Sequence, residues 1–186
     1  MNSLQITKIL SINQKTRLVF QGCLPCDRLP DKNSIKYPAA FVLNLDPHQL
    51  EGSHWVAIFA EGKGRPIYYY DSLMLFNIQQ PKIGCIINSF LKQFPQVITN
   101  CKPYQSHLAN TCGHHCICFI YFLSNNYTFT QYIKIIEREN NPDIFVQIFY
   151  IEKIFFPRVY SNMFVCTTAS NKNLTIIGCL SRRGLN

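Results

Sequence analysis

Tyr104-Gln105-Ser106-His107-Leu108-Ala109-Asn110-Thr111-Cys112-Gly113-His114-His115-Cys116 is a polar stretch that runs directly into the apolar segment from Ile117 to Leu123. The change of character predicts a loop that delivers Cys112 to the first turn of a buried helix. At such a start, unsatisfied backbone N–H groups and the positive end of the helix dipole lower the pKa of a thiol and bind an oxyanion formed beside it. A cysteine nucleophile needs both effects. The plainer alternative is one more buried cysteine, the usual fate of the residue type.

A nucleophilic thiol also needs an imidazole to take its proton and a third group to orient that imidazole, brought together by the fold. Of the five histidines, His54 follows Gly52-Ser53 and opens the apolar run Trp55-Val56-Ala57-Ile58-Phe59-Ala60. Asp71 ends the second run, Ile67-Tyr68-Tyr69-Tyr70. The glycines and proline between Glu61 and Pro66 suit a hairpin loop, which would set His54 and Asp71 on adjacent strands. Gln105 lies seven residues before Cys112; its amide and the Cys112 backbone N–H could share one oxyanion. Each residue also has an ordinary reading: a satisfied histidine, a turn aspartate, an exposed loop glutamine. His114 and His115 are assigned to packing or surface. A zinc site from Cys23-x-x-Cys26 with His115, Cys116 and Cys118 is a weaker alternative, because its second set lies in an apolar helical run rather than in a loop.

Around this centre, Leu4, Ile6, Ile9 and Leu10 suggest a short first helix, and Arg17 to Phe20 a strand, before a loop punctuated by Gly22, Pro25 and Pro30. Ala39 to Leu45 reads as a strand ended by Asp46-Pro47. Ile83, Ile86, Ile87, Phe90, Leu91 and Phe94 share one helical face between Pro81 and Pro95, and Val97 to Cys101 reads as a strand. Thr128 suits the cap of a helix through Glu139. Ile144, Ile148, Ile151 and Phe155 mark a last amphipathic helix by their spacing, although the β-branched content also suits a strand.

The 186 residues, 47% apolar and 15% charged, fit one domain and exclude disorder as the default. The net charge is +8. Arg158, Lys172, Arg182 and Arg183, with no acid after residue 156, supply half of it, a weak pointer to a polyanionic partner such as DNA. Nine cysteines, an odd number, and a start that lacks a signal-peptide pattern suggest a reduced intracellular setting. No apolar run is long enough to span a bilayer.

Taken in order, His54, Asp71, Gln105 and Cys112 resemble the adenovirus-type cysteine endopeptidases, the adenain family, with relatives in the Polinton or Maverick transposons and adintoviruses. The segment Gly52-Ser53-His54-Trp55, the acid Asp71, and Gln105 seven residues before Cys112-Gly113 carry the resemblance. Phe20-Gln21-Gly22, Asp27-Arg28-Leu29-Pro30 and Phe41-Val42-Leu43-Asn44 extend it to residues 1 to 156, leaving 157 to 186 as a basic tail expected to be poorly ordered. SUMO-specific proteases are more distantly similar, but they usually carry Asp where this chain has Thr111. The resemblance implies an α+β fold with a mostly antiparallel sheet packed against the helix that carries Cys112. It also implies the roles of nucleophile for Cys112, base for His54, orienter for Asp71 and oxyanion donor for Gln105, with Trp55 and Gly113 shielding or binding beside them. Capsid or virion precursors cut at glycine-containing sites, stimulation by DNA and a viral peptide with no cofactor for the chemistry, a monomer, and a place in the nucleus and virion follow from the same resemblance. Alternatives are a protease of ubiquitin-like modifiers and a non-catalytic DNA-binding module.

Overall fold

The computed structural model describes residues 1–75 and 81–151, the side chains of 81–85 excepted. The expected domain boundary at 156 and the basic tail 157–186 lie outside the described residues. The class is α+β: five strands in the order β1-β2-β3-β4-β5, with helices on both faces. They are β1 (Phe20–Pro25), β2 (Ala39–Asn44), β3 (Trp55–Ala60), β4 (Ile67–Tyr70) and β5 (Val97–Thr99). The helices are α1 (Ser3–Ile12), α2 (Pro81–Leu91), α3 (Cys112–Ser124), α4 (Phe129–Arg138) and α5 (Pro142–Phe149). The pairs β2–β3 and β3–β4 are antiparallel and form the centre of the sheet; β1 and β5 add to its flanks in parallel.

Every residue of β2 is buried, and the reason is visible in how successive side chains divide. Ala40 and Val42 join Ala57, Phe59 and Tyr70 in a core beneath α1, α3, α4 and α5. Ala39, Phe41 and Leu43 join Val56, Ile58, Ile67 and Tyr69 in a second core with Ile87, Phe90 and Leu91 of α2. A sheet covered on both faces needs no polar alternation, so its strands read as continuous apolar runs. The helix α3 lies across the first face, with Ile117, Phe119 and Ile120 at 1% exposure or less. Its amino-terminal end reaches the sheet's edge of loops, where β3 begins and β4 ends.

Two local expectations need correction. Residues Thr16–Leu18 form a 3-10 turn, and the strand expected at Arg17 starts at Phe20 and continues through Gly22 to Pro25. A sheet-edge strand tolerates a proline, which an inner ladder would not; β1 is such an edge, with a register shift between Phe20 and Gly22. On α5 and just beyond its end the isoleucines point outward: Ile144, Ile148 and Ile151 are 51%, 45% and 48% exposed, whereas Val146 is fully buried and Phe145 and Phe149 pack against the first core. The remaining member of that stripe, Phe155, lies outside the described residues. No helix among the described residues is long and apolar enough to cross a membrane.

Candidate active site

The hairpin β3–β4 brings His54 and Asp71 together. Its register pairs Ala57 with Tyr70 and Ala60 with Ile67, so the residues just outside the ladder, His54 and Asp71, emerge at the same end. His54 Nε2 donates to Asp71 Oδ1 at 2.7 Å, and both side chains are 2% exposed. The carboxylate is itself fixed. Asp71 Oδ1 also accepts from the backbone N–H groups of Leu73 (3.0 Å) and Met74 (2.9 Å), in a turn that puts Met74 at φ 54°. Asn100 clamps the Asp71 backbone from the end of β5: its Oδ1 accepts the Asp71 N–H and its Nδ2 donates to the Asp71 carbonyl.

The loop before β3 is shaped to deliver His54. Asn44 Oδ1, at the end of β2, accepts from the N–H of Asp46 and of Ser53, while the His54 carbonyl accepts from Leu45. Gly52 sits at φ +99°, and a Cβ there would lie 2.5 Å from Asn44 Nδ2. Only glycine adopts this backbone and leaves the Asn44 amide its room.

Cys112 is the first residue of α3, half-buried, and hydrogen-bonded to His54. Since Nε2 is taken by Asp71, Nδ1 is the nitrogen that remains for the sulfur. Burial pushes the Cys112 thiol up, but the His54 hydrogen bond, the Trp55 N–H, the His54 charge and the Gly113 N–H together bring its pKa below the ordinary 9.0. Burial pulls His54 down, yet Asp71 and Cys112 raise it to about 9. The two shifts agree: both favour a thiolate–imidazolium pair. Burial is the largest cause on three other cysteines, and no imidazole offsets it there. It pushes Cys23 to about 12 and holds Cys116 and Cys118 well above the usual value, so these three are inert thiols and Cys112 is the activated one.

Thr111 stands at the cap position of α3 but its side chain makes no capping bond. Its hydroxyl instead donates to Asp143. The first N–H groups of α3 therefore stay available for an anion beside Cys112. Gly113 allows close packing at this point; a Cβ would lie 3.0 Å from that of Met1. Trp55 donates its indole N–H to the Met1 carbonyl at 3.0 Å. Trp55 thus gives its backbone N–H to the Cys112 sulfur and its indole N–H to the amino-terminal residue.

Gln105 is buried, 6% exposed, and anchored next to Asp71: the Ser72 carbonyl accepts the N–H groups of Tyr104 and Gln105, and Ser72 Oγ donates to Gln105 Oε1 at 2.7 Å. One Nε2 hydrogen goes to the Ala109 carbonyl at 2.6 Å. An amide nitrogen has two hydrogens, so one is left for a ligand. Sequence reasoning missed Ser72 and Asn100, whose only signal is adjacency to Asp71 and a position at a strand end. His114 packs edge-on to Tyr150, and His115 is fully buried. The zinc alternative brings no ligand set together: among the described residues no three of His, Cys, Asp or Glu are grouped to hold a metal.

No protein-family model matches the sequence, and no curated protein matches it. Solved structures similar to it include the ASFV pS273R protease, 20% identical over 78% of this chain and 65% of that one, with a TM-score of 0.46. Others are the SUMO protease Ulp1 with its catalytic cysteine oxidized to a sulfinic acid (16%, 61% and 54%, 0.33) and ChlaDub1 from Chlamydia trachomatis (20%, 54% and 48%, 0.31). The chain aligns with less than two thirds of the length of each, at low identity.

Proposed function

We propose that the chain is a cysteine endopeptidase. The observation that carries this reading is the series Cys112, His54, Asp71, in which the thiol is acidified by an imidazole that a buried carboxylate holds. The Cys112 thiolate attacks the scissile carbonyl carbon, and the C=O electron pair moves to oxygen. That oxyanion is met by the Cys112 N–H and the free Gln105 amide hydrogen. As the tetrahedral species collapses, the C–N bond breaks and His54 gives its Nδ1 proton to the leaving amine. Water then attacks the thioester, His54 takes its proton, and the acid departs with the thiolate restored. Asp71 keeps Nε2 protonated throughout and stabilises the imidazolium.

The motif resemblance suggests capsid or other virion precursors cut at glycine-containing sites. A panel that includes glycine-ended ubiquitin-like substrates separates this from action on modifiers. The enzymatic reading itself is tested by a thiol-reactive peptide mimic followed by mass spectrometry. One adduct, on Cys112, is expected well before any other cysteine reacts; equal labelling of several cysteines, or none on Cys112, would refute it.

The pH dependence follows from the pair. The competent state needs Cys112 ionised and His54 protonated. Cys112 lies below 9.0, so the thiolate is lost as pH falls through that lowered value; His54 loses its proton as pH rises through about 9. Peptide hydrolysis should show a bell with its alkaline limb near 9, whereas alkylation of Cys112, which needs only the thiolate, should not fall on that side. Both limbs are macroscopic properties of the pair. A kcat/KM that still climbs above pH 10 contradicts the ion pair.

A further inference from the structure

The contact between α5 and the loop before Cys112 has no part in the chemistry just described. Asp143, in the first turn of α5, accepts the Ser106 N–H on Oδ2 at 2.9 Å and the Thr111 hydroxyl on Oδ1, and Oδ1 also meets His115 Nε2 at 3.2 Å. Ser106 and Thr111 are the two ends of a turn that encloses the Gln105 amide. Within it the Ala109 carbonyl accepts from Gln105 Nε2, and the Ala109 N–H returns to the Ser106 carbonyl at 3.0 Å. One carboxylate thus fixes the separation of both ends.

The third partner fixes Asp143 in turn. A carboxylate only accepts, so His115 Nε2 carries the proton and Nδ1 accepts from the Tyr70 hydroxyl at 3.2 Å. Burial holds His115 at about 4 despite Asp143, so the imidazole is neutral and this tautomer is the one present at neutral pH. Tyr70 directly precedes Asp71 in the chain. The hydrogen bonds therefore run from the strand that holds the base's orienter, through α3, to the loop that holds the oxyanion amide.

We propose that Asp143 is a positioning residue for the oxyanion site, holding the loop 106–111 and with it the Gln105 amide in register with Cys112 through Ser106, Thr111 and His115. This rests on the reading of Cys112 as nucleophile and Gln105 as oxyanion donor. A residue that acts through Gln105 has a signature that a general packing role lacks: its removal matters only while Gln105 is present.

The experiment is a double-mutant cycle of Asp143→Ala with Gln105→Ala, read by peptide hydrolysis and by iodoacetamide alkylation of Cys112. Asp143→Ala should lower kcat on the order of 10- to 100-fold, no more than Gln105→Ala does, with KM changed by less than about threefold. In the Gln105→Ala background it should cost less than about threefold more. Alkylation, which needs the thiolate and no oxyanion site, should stay within about threefold of the unsubstituted protein throughout. Thr111→Val, which removes one hydrogen bond and keeps the shape, should repeat the pattern at smaller size and carries the test if Asp143→Ala does not fold. Multiplicative losses in the cycle, alkylation falling in step with hydrolysis, or unchanged kcat overturn the proposal. Failure of the underlying reading looks different: Cys112 unreactive in the unsubstituted protein, or Gln105→Ala fully active.

Discussion

Replacing Cys112 by alanine is expected to abolish peptide hydrolysis, a loss on the order of 10^6-fold of the kind seen when a protease loses its nucleophile, while the protein stays folded. The fold does not depend on the sulfur. Cys112 is half-buried at the first turn of α3, and the helix is held by Ile117, Phe119 and Ile120, which lie deeper along it. Deleting one partly exposed atom should change stability by less than about 1 kcal/mol. Thermal unfolding and circular dichroism measured beside a discontinuous peptide assay check both halves. Hydrolysis retained in Cys112→Ala would require another nucleophile, and Cys23, Cys116 and Cys118, with their raised pKa values, offer none.

Asp71→Asn should lower kcat/KM on the order of 10^3- to 10^4-fold, by analogy with the orienting carboxylate of other triads. This substitution separates charge from geometry. Three N–H groups, from His54, Leu73 and Met74, already converge on Oδ1, so an asparagine keeps its oxygen there, loses the negative charge and sets its amide nitrogen at the buried, unpartnered Oδ2 position. His54 then lacks the partner that does most to raise it, and the alkaline limb of the pH profile should move below 9. Asp71→Ala removes both, and stranding the buried donors costs about 1–3 kcal/mol for each left without water. A loss in Asp71→Asn smaller than about tenfold, or an alkaline limb that stays in place, would show that the carboxylate is not the orienter.

The parts of the site that local pattern can encode were legible in the sequence. His54 and Asp71 bound two apolar runs joined by a glycine-rich loop, and a hairpin's register follows from its loop. Cys112 marks the step from polar to apolar. The supporting polar residues were not legible: Asn100, Ser72 and Asp143 are single residues whose partners lie 29, 33 and up to 37 positions away. The orientation of α5 escapes the sequence for a related reason. A stripe of isoleucines gives the right period for a helix, but which stripe faces inward is decided by the neighbours, and Val146 with Phe145 and Phe149 won the place against α3 and α4. The strand β1 was hidden by Gly22 and Pro25, which only an edge position accommodates.

Trp55 is the chain's one tryptophan, with its backbone N–H on the Cys112 sulfur and its indole on Met1. All tryptophan emission from this protein therefore originates at the candidate site. Acylation of Cys112, the proton state of His54 and any displacement of the amino-terminal residue change the surroundings of that single ring, so intrinsic fluorescence offers a label-free clock for individual steps of turnover, with no background from elsewhere in the fold.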